Sequence, residues 1–297
     1  MSHYVAINIG PIGLTLSLAR KPREFWQASY LFSHLMKRLL EGFCQDQDKD
    51  KDKNKDIRPT LLSPKVEEED PNVSYKTKAG IYPDRAFFKS EQPIDDEWIK
   101  KLVEIGLDRF AKDIRFGGDV EYTKNIVRDY FNVMTASCES ASDCEAIKQL
   151  NEWLNYLELS AHAPQPGTVD EISQLLQKEF DSPLFLLAFG ERRFKVETLE
   201  EIAEYECRKF GVPRKTYHNY ICIVQADGDN MGKVVTHLPD GKLAEVSNRL
   251  TDFGKTACTT IAEYGGMPIY AGGDDLLFIA PVWGGKEERQ SIFDLIV

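Results

Sequence analysis

Two short apolar runs near the end of the chain each stop at a turn of glycine and aspartate, and this pairing restricts the fold more than any other feature of the sequence. Tyr220, Ile221, Cys222, Ile223 and Val224 form a run rich in β-branched residues, which reads as a buried strand. It leads into Ala226-Asp227-Gly228-Asp229-Asn230-Met231-Gly232-Lys233. With a side-chain period of two, Ile221, Ile223, Gln225, Asp227 and Asp229 fall on one side, so both carboxylates emerge together beyond the strand end. The second run, Met267 to Ala271, reaches Gly272-Gly273-Asp274-Asp275 and continues into a third strand, Leu276 to Pro281. Gly272-Gly273 is expected to be the two-residue connector of a tight hairpin, because glycine supplies positive φ without a steric penalty.

Carboxylates gathered in one place repel one another, and either hold protons or collect cations. With no histidine or cysteine beside them, the donors of Asp227, Asp229, Asp274 and Asp275 are all oxygen, which suits two hard ions, Mg²⁺ or Mn²⁺. Adjacent strand residues face opposite ways, so one of Asp274 and Asp275 is expected to be a firm ligand and the other a conditional one. A single Asp-Gly turn is ordinary hairpin material. Two of them at strand ends, one helix length apart, argue for a shared catalytic or metal site.

An acidic strand end, a helix and a hairpin bearing Gly-Gly-Asp-Asp resemble the palm domain of nucleotide cyclases and right-handed polymerases. The forms Ala226 to Lys233 and Ala271-Gly272-Gly273-Asp274-Asp275 are most similar to the large, polymerase-like subunit of type III CRISPR effector complexes, of the Cmr kind. A second match lies far upstream, in Gly10-Pro11-Ile12 and in Ala19 to Ser33, which resemble the start of the first palm-like domain of the same subunits.

The resemblance implies nucleotidyl transfer. Asp227, Asp274 and Asp275 would be catalytic, and Asp227, the Gly228 carbonyl, Asp229, Asp274 and Asp275 would hold the metals. Asn230, Met231, Gly232, Lys233, Gly272 and Gly273 would bind the triphosphate of ATP through main-chain amides and one ammonium. The implied product is cyclic oligoadenylate, made when the complex binds target RNA. The implied partners are the other Cmr-type subunits, above all the one that holds the 5′ end of the guide RNA, with guide and target RNA met through the complex. A catalytically silent scaffold subunit is the alternative. A diguanylate-cyclase-like domain is disfavoured by Asp275-Leu276, where Glu-Phe would be expected. Many relatives start with a nuclease domain marked by His-Asp; none of the five histidines here precedes an aspartate, so no nuclease activity is expected of this chain.

At 297 residues, 42% hydrophobic and 29% charged, the composition is that of an ordinary globular protein of two or three domains. A formal net charge of −11 argues against coating nucleic acid by bulk electrostatics. No apolar run approaches membrane-spanning length and no signal sequence opens the chain, which assigns it to the cytoplasm by default. Six scattered cysteines without a Cys-x-x-Cys read as reduced thiols. Relatives carry a cysteine zinc site between the palms, but Cys138, Cys144, His162 and Cys207 lack zinc-finger spacing, which argues against zinc.

In chain order, a strand at 4–9 precedes a helix opened by Pro22, with Phe25, Ser29, Phe32, Leu35, Met36, Leu39 and Phe43 as its buried stripe. Arg20, Lys21 and Arg23 read either as a solvated turn or as a phosphate contact. Residues 45–56 contain no apolar residue and alternate in charge, and read as a disordered insert. Strands at Thr60 to Ser63 and Ala86 to Phe88, helices at Asp95 to Lys112 and Val120 to Arg128, and a strand at Tyr130 to Ala136 complete a βαββαβ, ferredoxin-like plan. This first unit has Gly10-Pro11-Ile12-Gly13 where the second has its acidic turn, so it is a palm without metal ligands; whether it shapes a shared nucleotide site or is a structural duplicate stays open.

The expected class is therefore α+β: a first palm-like domain at 1–140, a helical linker domain at 141–216 and a metal-binding palm at 217–297. In the linker, Thr168 with Glu171 and Thr198 with Glu201 have capping-box spacing. In the second palm, Leu243, Val246, Leu250, Phe253, Ala257 and Ile261 mark one helix face, and another helix is expected from about Lys286. The plan lacks its closing strand at Val297, so the second palm is expected to be truncated.

Overall fold

The continuous buried run of β1 (Ser2–Gly10), covered on both faces, places it at the centre of the first domain, where it pairs antiparallel with β3 (Arg85–Ser90) and β4 (Asn132–Ser140). With β2 (Thr60–Ser63) on the outside, the order is β2-β3-β1-β4, that of a ferredoxin-like sheet. The computed structural model describes residues 1–45, 59–65, 79–115, 119–178, 182–189 and 198–296. The expected charged insert, apart from its first residue, lies outside them.

One face of this sheet, with Val5, Ile7, Ile9, Ala86 and Phe88, packs on α2 (Pro22–Gln45) and α3 (Asp96–Ile114). The α2 stripe is buried as its period requires, from Phe32 to Phe43. Asp95 caps α3 by accepting from the Trp98 amide at 2.6 Å, and α4 (Val120–Tyr130) begins likewise at Asp119. A short α1 (Ile12–Ser17) fills the turn after β1. The other face, with Tyr4 and Ala6, is covered by α5 (Asp143–Leu159) through Ala146, Ile147, Leu150 and Leu154.

The linker continues through α6 (Pro166–Gln177), α7 (Pro183–Phe189), α8 (Leu199–Ala203) and α9 (Tyr205–Phe210) to a 3₁₀ turn at Thr216–Asn219. The Thr198–Glu201 capping box forms. The one expected at Thr168 does not: α6 starts at Pro166, and the Thr168 hydroxyl donates to Asp129 instead.

The second domain has β5 (Ile221–Ala226), α10 (Met231–Thr236), α11 (Leu243–Tyr264), β6 (Met267–Gly272) and β7 (Asp275–Pro281), with sheet order β5-β7-β6. β5 corrects the expectation of a buried strand. It is the edge of a three-stranded sheet among the described residues, so Tyr220 and Ile223 remain 61% and 68% exposed. The buried face of α11 keeps Leu243 and Ile261 of the expected stripe but turns away from it between them. Ser247, Thr251, Gly254 and Cys258 face inward while Phe253 is exposed, because small side chains let the helix lie close on β6. In place of a helix from Lys286, the chain forms a small ladder, β8 (Trp283–Gly284) with β9 (Gln290–Ser291), before α12 (Ile292–Ile296).

The two domains engage reciprocally. The first long helix of each, α2 and α11, lies against the second strand of the other, β6 and β2. Trp26 on α2 stacks on Tyr30 at 4.9 Å and on Phe185 of α7 at 5.2 Å, and it packs into one cluster with Ile269 and Ile279. The Ala271 amide donates to the Gly80 carbonyl at 2.9 Å, joining β6 to the segment before β3. This interlock sets the ends of β5 and β7 against the first domain.

Candidate active site

Paired strands bring the acidic turns together. Ala226, the last residue of β5, lies opposite Leu276 in β7, so Asp227 and Asp275 leave the ladder side by side. Gly272 pairs with Asp275, which moves the hairpin connector one residue on from the expected Gly272-Gly273 to Gly273-Asp274. Gly273 alone carries the positive φ, +65°, so only the first connector position needs glycine. Asp274 thus sits at the hairpin tip and Asp275 opens the following strand.

Gly228 faces Asp274 so closely that a Cβ on it would stand 2.8 Å from the Asp274 Cβ. The first acidic turn therefore rests directly on the hairpin. Asp275 is pushed above the ordinary carboxylate range, first by burial of its carboxyl and then by the charges of Asp274, Asp227 and Asp84. Asp229 is exposed in the turn that follows β5. Among the described residues no three His, Cys, Asp or Glu side chains converge tightly enough to hold one ion between them.

Of the nucleotide-binding residues expected from the sequence, Asn230, Met231, Gly232 and Lys233 lie together after β5, while Gly272 and Gly273 lie at the β6–β7 hairpin. Asn230 takes the left-handed conformation at φ 59°, which asparagine tolerates better than most residues, and α10 starts beside it. The Met231 amide donates to the Gly228 carbonyl at 3.3 Å. That carbonyl keeps a second lone pair for a cation, but the Met231 amide is already engaged. Gly232 and Lys233 are exposed on α10. At its far end Val235 and Leu238 pack into the cluster below α5, and the Cys144 thiol donates to both of their carbonyls at 3.4 Å.

One acidic residue of the site was missed from the sequence: Asp84, in the turn before β3. Burial raises its pKa, the adjacent Arg85 lowers it, and Glu158 and Asp274 raise it further. Tyr270 is pushed up in the same field, by burial first and then by Asp84, Asp275 and Asp274. Asp84 and Asp275 both line a slot of about 250 Å³ between the domains. Its apolar wall includes Ile12, Leu16 and Phe32 of the first domain, facing Leu276 and Leu277 of the second. Tyr82-Pro83-Asp84-Arg85 gave no signal of this role, because Asp84 meets the hairpin only when the two domains pack.

Comparisons with known proteins agree with this layout. The family model described as Cas10/Cmr2, second palm domain matches residues 220–295, and that of CRISPR-associated protein Cmr2, N-terminal matches residues 4–115. No curated protein matches the sequence. Among solved structures, a chain of the type III-B Cmr-beta complex in its apo state is 11% identical with a TM-score of 0.57, and the match covers 99% of this chain and 60% of that one. For Cmr-beta bound to cognate target RNA the values are 11%, 0.55, 99% and 61%. For a Csm1–Csm4 cassette in complex with pppApA they are 12%, 0.53, 99% and 46%. The chain thus spans less than two thirds of the solved chains it resembles. The Cmr2 N-terminal model falls on the first palm and the Cas10/Cmr2 model on the second, and the chain belongs to the Cas10/Cmr2 family of CRISPR-associated proteins.

Proposed function

We propose that this chain carries the nucleotidyl-transfer centre of a Cmr-type effector complex, joining ATP into cyclic oligoadenylate when target RNA is bound. The observation that carries this reading is the common field of Asp227, Asp274 and Asp275 at the mouth of an inter-palm slot. Solved Csm1–Csm4 cassettes in complex with pppApA and with one ATP, which share this fold, support a nucleotide at such a site.

The donors fit hard divalent cations. They are all oxygen, and a carboxyl driven upward by its neighbours gains from a cation beside it. Mg²⁺ is usually bound by one or two carboxylates completed by substrate phosphates, so a complete ligand set from the chain is not required. Asp227, Asp274 and Asp275, with Asp229 and the Gly228 carbonyl, would hold the ions. When bound, two such ions supply charge neutralisation at the triphosphate and lower the pKa of the attacking hydroxyl. Each transfer forms a bond from a 3′-oxygen to the α-phosphorus of ATP and breaks the bond to the bridging oxygen, releasing pyrophosphate and one proton. In this reading Lys233 and main-chain amides around Asn230 to Gly232 attract the phosphates, and the apolar slot wall excludes water from one side.

The partners in this reading are the other Cmr-type subunits, including the one at the guide RNA 5′ end, with RNA met through the assembly. The test is ATP turnover by the assembled complex with guide, target RNA and Mn²⁺. Asp274→Ala combined with Asp275→Ala should reduce turnover to background while the complex still assembles.

The open metal geometry favours one second reading, a scaffold subunit that binds nucleotide weakly. Equal turnover in the double variant, or no turnover by the unaltered complex, would select it.

A further inference from the structure

The slot is more than a gap between palms. It is lined by Ser29, 7% exposed, whose Oγ is buried without a hydrogen-bond partner among the described residues. Buried hydroxyls in native proteins are paired, so an orphan that lines a cavity points to a group that enters it. Asp84 of the first palm and Asp275 and Gln225 of the second line the same slot. Arg85, next to Asp84 in sequence, is drawn away by α5, donating to Asn151 at 2.8 Å and to Asn155 at 2.6 Å. Asp84 lines a space that also borders Asp275 of the acidic hairpin. At about 250 Å³ that space is just below the usual range of ligand clefts, roughly 300 to 1,000 Å³, and suits part of a nucleotide better than all of one.

What enters must suit an acceptor. A phosphate with no cation between it and the carboxylates is disfavoured at this position by repulsion from Asp84, Asp275 and Asp274. A ribose is not: its hydroxyls donate, and a carboxylate that accepts from a 2′-hydroxyl is a recurrent means of recognising it. Asp84 interacts with Asp274 and Asp275, the carboxylates beside which the attacking 3′-oxygen must lie in the nucleotidyl-transfer reading on which this step rests.

We propose that Asp84, supplied by the metal-free first palm, accepts a hydrogen bond from the 2′-hydroxyl of the nucleotide whose 3′-oxygen attacks, with Ser29 Oγ as a second partner for the same sugar. Asp84 is then a specificity residue that selects ribonucleotides and presents the 3′-oxygen. It also assigns the first palm a part in the site, as more than a structural duplicate.

The experiment compares ATP with 2′-deoxy-ATP as substrates for the assembled complex with target RNA and Mn²⁺, in the unaltered protein, in Asp84→Ala and in Asp84→Asn. A hydrogen bond to a charged group predicts that the unaltered complex prefers ATP by roughly 10- to 100-fold in kcat/KM. Asp84→Ala should bring that ratio to within about threefold, by loss of ATP turnover rather than gain on the deoxy substrate. Asp84→Asn keeps one acceptor oxygen and should fall between them. It also serves where the alanine variant does not fold, since a narrowed ratio supports the assignment and an unchanged one overturns it. Equal losses on both substrates would also overturn it, showing that Asp84 acts on every nucleotide alike. Absence of turnover by the unaltered complex would instead remove the nucleotidyl-transfer reading itself, and this assignment with it.

Discussion

Gly228 lies so close against Asp274 that a Cβ on the glycine would stand 2.8 Å from the aspartate Cβ and 3.1 Å from its Oδ2. The near atom belongs to the root of the side chain, so no rotation of Asp274 relieves the contact. Gly228→Ala must shift either the hairpin tip or the turn carrying Asp227. Displacement of about 1 Å at a reacting centre costs on the order of 100-fold in rate. We expect ATP turnover by the assembled complex to fall by about that factor, with the thermal midpoint moving by only a few degrees. Turnover at the unaltered rate would show that the two acidic turns need not touch.

Repulsion at the same hairpin makes a second prediction. Asp275 has its pKa raised in the fold, through burial and through Asp274, Asp227 and Asp84. A carboxyl whose folded pKa exceeds its unfolded value makes the fold less stable once it ionises, so stability is lost as pH rises through the folded pKa. Asp275→Asn removes that loss. At pH 7 and without divalent ions it should raise the thermal midpoint by roughly 1 to 3 °C, a discounted figure for a residue that keeps solvent contact. The gain should shrink as pH falls below the folded pKa. Mn²⁺ should stabilise the unaltered protein by mass action, and the Asn variant less. Calorimetry with and without Mn²⁺ measures both effects. A variant less stable than the parent at neutral pH would refute the assigned repulsion.

The parts of the molecule that were readable from the sequence are those built by local periodicity. The α2 stripe from Phe32 to Phe43 and strand β7, whose Phe278 and Ala280 pack with Ile261 and Tyr264, carry their own pattern, because each faces a core to which its own palm contributes. Three features escaped for one reason: they depend on what packs from elsewhere. The α11 face turned because Gly254 can approach the Ala271 carbonyl where a larger residue cannot. β5 is exposed because pairing, and not its own apolar content, decides burial. Asp84 joined the site through the interlock of α2 with β6. The hairpin connector shifted by one residue because Gly272 joined the ladder, a choice that a Gly-Gly pair leaves open.

Asp143, at the start of α5, is the third test. Its carboxylate accepts from the Tyr4 hydroxyl at 2.8 Å, from Lys89 Nζ at 3.0 Å and from the Gly241 amide at 2.9 Å. Burial pushes its pKa up, but these donors outweigh burial and hold it below the usual range; Lys89 is raised in return and Tyr4 is pushed to about 12, so the shifts agree on an ionised aspartate. Removing one partner of a buried ion pair costs on the order of 3 to 5 kcal/mol. Asp143→Ala should therefore destabilise the protein by about 3 kcal/mol at pH 7 in urea unfolding. A carboxylate with a depressed folded pKa contributes stability above its unfolded pKa and loses it as pH falls through the folded one. The difference between the two proteins should be flat between about pH 5 and 8 and narrow below about pH 4. The same carboxylate fixes the turn at Gly241, beyond α10, so the variant should also raise the KM for ATP by loosening the helix that carries Lys233. A stability gap that persists undiminished to pH 3.5, with KM unmoved, would mean that Asp143 is held by packing and that its charge does not anchor α10.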